Sequence, residues 1–228
     1  MVTITKALKE NFAGVLIAEG AQIGEMCRID VGCEISAESV IQQQVAICKN
    51  VQVIGAVKID YGVVIRENVT LVGPLHIYHN SFIGHDSILG ATREEAVTAQ
   101  KETLIGECCC IGKEVEILGG VQVGNYVRVR AGSRVMGDVP QYGIVSRSPA
   151  ILERFGCPGC GGRLNISANH GGAIFVKCPH CNQGEIKFST REWSDSPNHV
   201  LLPDGALGIE FVPTLGDDLR WLEEWETR

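Results

Sequence analysis

At 228 residues and 24.6 kDa, with 45% hydrophobic and 21% charged side chains, the chain fits one sizeable domain, or one domain with a small module, and its composition excludes disorder over most of the length. Lys plus Arg is 20 against 27 Asp plus Glu, a net charge of −7 that argues against nucleic acid held by bulk electrostatics. No apolar run approaches the ~18 residues of a membrane span, and the 10 Cys suit reduced thiols, so the sequence reads as soluble and cytoplasmic.

Residues 1–16 are read as an N-terminal cap. From Ile17 an aliphatic residue recurs every six positions through Ile23, Ile29, Ile35, Ile41, Ile47, Val53, Ile59, Ile65, Leu71, Ile77 and Ile83 to Leu89. A second column of small or β-branched residues stands four positions later, as at Cys33, Ser39, Val45 and Val63. The register breaks after Gly90 and returns at Ile105, Ile111, Ile117, Val123, Val129 and Val135, so an insertion is placed at 91–104. A period of six fits neither an amphipathic helix nor simple strand alternation. It fits a short strand plus a corner, used three times per turn of a triangular solenoid, with 18 residues to a coil. About six coils are expected from residue 17 to 140, within a repeat domain spanning 17–150. Gly24, Gly32, Gly62, Gly84, Gly106, Gly112, Gly124 and Gly132 are read as turn positions needing positive φ.

This hexad pattern resembles the hexapeptide-repeat acyltransferases, and the resemblance implies an all-β, left-handed parallel β-helix. The run from Ile105-Gly106 through Ala131-Gly132-Ser133 to Val139-Pro140, with Pro149-Ala150 beyond it, is similar to the end of the sugar and xenobiotic acetyltransferases. The resemblance implies an acyl-CoA-dependent O- or N-acyltransferase acting on a sugar or amine, in a homotrimer with active sites between subunits. Such an enzyme needs a base to deprotonate the acceptor, and His is the side chain poised near neutral pH. His85, followed by Asp86, is the first candidate and His79 the second. In that family the catalytic His stands at the start of the insertion, where this chain has none. For the cofactor, Ala131, Gly132 and Ser133 offer backbone to a pantetheine arm, and Arg128, Arg130 and Arg134 offer charge to phosphates. Cys109, in an inward column, reads as a small hydrophobe.

A second module follows at 151–192. Cys157-Pro158-Gly159-Cys160 and Cys178-Pro179-His180-Cys181 form two Cys-x-x-Cys knuckles, a spacing that sets four thiolates around a structural Zn²⁺ and leaves no open coordination position. Between them, residues 163–167 and 173–177 alternate like two antiparallel strands, with 169–172 as the turn. Residues 151–228 carry 7 basic and 11 acidic side chains, which favours protein contact over nucleic acid. The tail, 193–228, ends in a short amphipathic helix over 217–225 with Trp221 and Trp225 on one side. The alternative to an enzyme is a non-catalytic β-helix scaffold that recruits a protein through the ribbon or this helix.

Overall fold

The repeat builds strands of only two or three residues, such as Gln22–Ile23, Arg28–Ile29 and Glu34–Ile35, in which the first side chain faces solvent and the Ile faces inward. A computed structural model describes residues 2–3, 14–90, 101–157, 164–170, 173–181 and 185–189. Three parallel sheets wind round one core. One runs from Leu16–Ile17 to Arg134–Val135, one from Gln22–Ile23 to Gln122–Val123, and one from Arg28–Ile29 to Gly143–Ser146. Leu16–Ile17 opens a sheet of seven strands, so the solenoid has about seven coils where six were expected, and Leu16 belongs to the first coil, not to a cap.

Register follows the repeat: Leu16 lies beside Glu34, Ala46 beside Val64 and Thr70 beside Ile88, each 18 residues on. Across the insertion the offset becomes 28, with Leu75 beside Thr103 and Phe82 beside Cys110. The extra chain is therefore residues 91–100, shorter than the expected 91–104, because Thr103–Ile105 is already a strand. Residues 91–100 lie outside the described set.

Inside, the aliphatic column is sealed: Ile41, Ile59, Ile65, Ile77, Ile83 and Ile111 are all fully buried, each worth roughly 1.5–3 kcal/mol of burial. The small-residue column holds its polar members by hydrogen bonds to the next coil. Ser81 Oγ donates to Gly106 O at 2.8 Å and accepts from Cys109 N at 3.0 Å, and Ser87 bridges Gly112 O and Val115 N in the same way. Cys109 is fully buried, and desolvation pushes its thiol up to about 12. It is a core side chain, as read from its column.

The glycines divide into two kinds. Gly32, Gly62 and Gly132 have positive φ as expected, but Gly24, Gly84, Gly106, Gly112 and Gly124 are not among the positive-φ residues. There a Cβ would meet the backbone of the next coil; at Gly84 it would stand 2.5 Å from Gly112 C and 2.6 Å from Lys113 N. Close approach of coils, not turn conformation, requires those five. Conversely, the left-handed corner positions hold many residues other than Gly, including Met26, Gln44, Asn50, Asn68, Asp86, Cys108 and Tyr126. Apart from Met26, each of these turns is offset by a bond to the coil before it, for example Gln44 N to Glu25 O at 3.0 Å and Tyr126 N to Glu107 O at 2.8 Å.

At the N-terminal end Val2–Thr3 pairs antiparallel with Gln22–Ile23; residues 4–13 of the expected cap lie outside the described set. At the other end Gly143–Ser146 joins Arg128–Val129 in parallel, and Ile151–Phe155 closes the same sheet in the antiparallel sense. The second module is an antiparallel sheet of three strands, Asn165–His170, Ala173–Lys177 and Ile186–Ser189, one more than expected. The first runs through His170, so part of the expected turn is strand. Leu164, Val176 and Cys178 are buried in one apolar cluster with Leu152, Phe155 and the solenoid core. Among the described residues there is no helix; the tail helix expected at 217–225 lies outside them.

Candidate functional site

His79 and His85 sit on different corners of the prism. His79 occupies the turn between Leu75–Ile77 and Phe82–Ile83, and His85 the turn between Phe82–Ile83 and Ile88–Gly90. The structure does not bring them together, as their spacing required.

His79 stacks on Tyr61, with ring centroids 5.0 Å apart and planes within 3°, and its Nε2 stands 3.5 Å from Glu107 Oε2. On the other corner His85 Nδ1 lies 2.5 Å from Asp86 Oδ2, with the ring partly exposed at 29%. Asp86 Oδ1 accepts from Asn68 Nδ2 at 2.9 Å. These bonds, that from His85 first, hold the Asp86 carboxyl below the usual carboxylate range, so it is ionised at neutral pH. Glu67 is also held below its ordinary range, first by a backbone hydrogen bond and further by its 3.1 Å pair with Arg66 and the charge of His85. A partly exposed imidazole backed by a carboxylate at one ring nitrogen is the arrangement a general base requires.

The corner of His85 also carries the candidate cofactor residues. Glu114 N donates to His85 O at 2.9 Å, and Gly132 N donates to Lys113 O at 2.9 Å, so Ala131 and Gly132 stand two coils above His85 on one edge. At about 4.8 Å per coil that separation is roughly 10 Å. A Cβ at Gly132 would meet nothing within 4 Å, which leaves its backbone approachable. Ser133, by contrast, is buried, its hydroxyl donating to Arg130 O at 2.7 Å, so it shapes the turn from inside.

The arginines separate in the same way. Arg128 lies in a sheet strand beside Cys110, largely buried, and desolvation lowers its guanidinium below the ordinary range. Arg134 projects from another sheet and pairs with Glu116 at 2.8 Å. Arg130 alone of the three directly precedes the Ala131-Gly132 turn.

Sequence reasoning gave little weight to His76. Its Nε2 is 3.1 Å from Asp60 Oδ1, which also accepts from Gln42 Nε2 at 2.9 Å, and its ring stacks on Tyr78 at 4.1 Å. The register places Asp60 beside Tyr78, so this pair was findable once coils are aligned at 18 residues. Asn68 was missed as well, although Asn50, Asn68 and Asp86 recur at that same interval.

At the second module Cys157, Cys178 and Cys181 bring their sulfurs within 4.8 Å of one another, the first two buried. Cys157 Sγ and Cys181 Sγ are 3.7 Å apart, close to the ~3.8 Å edge of a tetrahedron with Zn–S bonds of about 2.3 Å. The His180 backbone N–H donates to Cys178 Sγ at 3.4 Å, and the His180 ring is exposed, not a ligand among these sulfurs. Cys160, the fourth expected ligand, lies outside the described residues.

Residues 102–137 match a family model described as bacterial transferase hexapeptide (six repeats). The chain is 37% identical over 93 residues to serine acetyltransferase 2 of Arabidopsis thaliana, covering 41% of this chain and 26% of that protein. It is 29% identical over 114 residues to the serine acetyltransferase of Haemophilus influenzae, covering 49% of this chain and 42% of that one. The chain thus spans between a quarter and two fifths of the length of these curated relatives. Among solved structures it is similar to the acetyltransferase domain of PglB from Neisseria gonorrhoeae in complex with acetyl coenzyme A, at 22% identity, 64% coverage of each chain and a TM-score of 0.35.

Proposed function

We propose that this hexapeptide-repeat chain, which has serine acetyltransferases among its homologues, is an acyl-CoA-dependent acyltransferase that acylates a hydroxyl or amine on a sugar or amine acceptor. The observation that carries the reading is the corner of His85: a carboxylate-backed imidazole on the same edge as the open Ala131-Gly132 turn. His79 has no such relation to that turn. His85 Nε2 takes the acceptor's proton as the oxygen or nitrogen attacks the thioester carbonyl. The resulting imidazolium, steadied by Asp86, returns the proton to the departing CoA sulfur. Arg130, which directly precedes the Ala131-Gly132 turn, meets the cofactor's phosphates. The solenoid is read as left-handed, and the assembly as a homotrimer in which a neighbour's surface completes the cleft.

The second module is read as a zinc ribbon with Cys157, Cys160, Cys178 and Cys181 as ligands. The converging sulfurs of three of them, two buried and one partly so, support this. A metal held by four thiolates has no open position, so its part is to fix the module against the last coil.

Isothermal titration with acetyl-CoA and with free CoA tests the reading. Micromolar binding that weakens at least tenfold in Arg130→Glu is expected. Absence of binding by either ligand at millimolar concentration overturns it, and leaves the scaffold alternative to be pursued through the ribbon and tail.

A further inference from the structure

The corner of His85 carries a ladder of side chains of which the reaction above uses only Asp86. Asn50, Asn68 and Asp86 stack at the same left-handed turn position on successive coils, with φ of 58°, 59° and 58°. Asn50 Nδ2 donates to Asn68 Oδ1 at 3.2 Å, and Asn68 Nδ2 donates to Asp86 Oδ1 at 2.9 Å. The carboxylate of Asp86 only accepts, so Asn68 must turn its amide nitrogen toward it and its carbonyl toward Asn50. The second Asp86 oxygen is the one that meets His85 Nδ1.

We infer that Asn68 is a positioning residue for His85: by holding one oxygen of Asp86 it aims the other at Nδ1–H, and so keeps Nε2 as the atom that receives the acceptor's proton. This rests on the acyltransferase reading for its catalytic meaning, and on the hydrogen-bond ladder alone for the tautomer. A neutral imidazole is a mixture of tautomers unless one ring nitrogen is engaged, and which nitrogen carries the proton is set by the bond the other makes. Without Asn68, Asp86 is an exposed carboxylate free to rotate away. Its acidity would move part of the way back toward the ordinary, because the Asn68 bond is, after that of His85, the second of the causes that lower it.

The fold supplies a clean perturbation. The same corner column holds glycine at Gly14, Gly32 and Gly132, each with positive φ, so Asn68→Gly removes the amide without straining the turn. The other charged groups around His85 are Glu67 and Arg66 on the coil before, and Lys113 and Glu114 on the coil after. They are unchanged in this variant, and its effect is read against them as a constant background.

The test is long-range ¹H–¹⁵N spectroscopy of the imidazoles in the full chain, with His85 assigned by loss of its signals in His85→Gln. Wild type should show neutral His85 mainly protonated at Nδ1. In Asn68→Gly the population should move toward the Nε2–H form with little change in melting temperature, and acetyl transfer should fall about tenfold through kcat. Asn50→Gly, one rung further away, should move the tautomer less. An unchanged tautomer in Asn68→Gly overturns the inference whatever the activity. The expected tautomer shift in Asn68→Gly, together with a wild-type chain that neither binds acetyl-CoA nor transfers its acetyl group, overturns the functional reading instead.

Discussion

Gly84 precedes His85 and tests the claim that contact between coils, not turn conformation, requires five of the eight repeat glycines. In Gly84→Ala the new methyl carbon would start 2.5 Å from Gly112 C, 2.6 Å from Lys113 N and 2.7 Å from Gly112 O. All three are backbone atoms with no rotamer to change. Ordinary contact begins at 3.4 Å, so the coils must part locally by about 0.9 Å. That stretches the bonds from Gly84 N to Ile111 O, now 2.8 Å, and from Glu114 N to His85 O, now 2.9 Å, beyond hydrogen-bonding length. Two bonds at ~1 kcal/mol each, plus ~1 kcal/mol of overpacking, give about 3 kcal/mol, or a fall in Tm of roughly 6–12 °C for a chain of this size. Gly132→Ala is the comparator: its Cβ would meet nothing within 4 Å, and only the positive φ of 68° opposes it. That costs about 1 kcal/mol, or ~2–4 °C. Thermal melts by circular dichroism of the two variants and wild type decide the matter. Equal melting of Gly84→Ala and wild type, or a larger loss in Gly132→Ala, refutes the close-approach argument.

Further expectations follow from the core and the second module. Ile59→Asp places an unpaired carboxylate at a fully buried position and should yield no soluble folded protein, whereas Ile59→Val should cost only ~0.5–1.5 kcal/mol by chemical denaturation. Cys109 keeps its proton to about pH 12 when folded, while its thiol in the unfolded chain titrates near 9. The unfolded state therefore sheds a proton first, and the thiol's contribution to stability is full below pH 9 and declines by up to ~1.4 kcal/mol per pH unit as pH rises from 9 to 12. Wild type should lose more stability between pH 8 and 10.5 than Cys109→Val, and a thiol reagent at pH 8 should leave Cys109 unmodified; equal slopes or rapid labelling contradict this. The purified chain should contain one zinc per protomer, and Cys178→Ser should lose the metal and lower Tm, because Cys178 shares the apolar cluster of Leu152 and Phe155. Full stability after chelation contradicts the ribbon.

The solenoid was legible because its signal is redundant. Each coil repeats the same inward choice at three places, so Ile17 to Leu89 declare both the strands and their register before any pairing is known. Of the four knuckle cysteines picked out by spacing, Cys157, Cys178 and Cys181 converge in the structure, and Cys160 lies outside the described residues. The corners were harder to read. Tyr126 and Cys108 hold positive φ because the coil before accepts their amides, at Glu107 O and His79 O, and that compensation lies 18 residues or more away in sequence. The length of the insertion was blurred by Thr103 and Leu104, whose strand character depends on pairing with Leu75 and His76. At the site, His85 and Asp86 are adjacent in sequence and easily noticed, whereas their relation to Ala131-Gly132 needs the coil offset across 91–100. The choice among Arg128, Arg130 and Arg134 needed three dimensions, because the sequence does not show that Arg128 is largely buried, that Arg134 lies on another sheet paired with Glu116, and that Arg130 leads into the Ala131-Gly132 turn.

The most direct measurement is acceptor-dependent acetyl transfer, followed by mass spectrometry of the products, from acetyl-CoA to a mixture of amino sugars, sugars and small amines, in wild type, His85→Gln and His79→Gln. The account predicts transfer by wild type, a loss of at least ~10²-fold in His85→Gln, and most of the activity retained in His79→Gln. Transfer that survives in His85→Gln and disappears in His79→Gln would place the chemistry on the other corner and contradict the account.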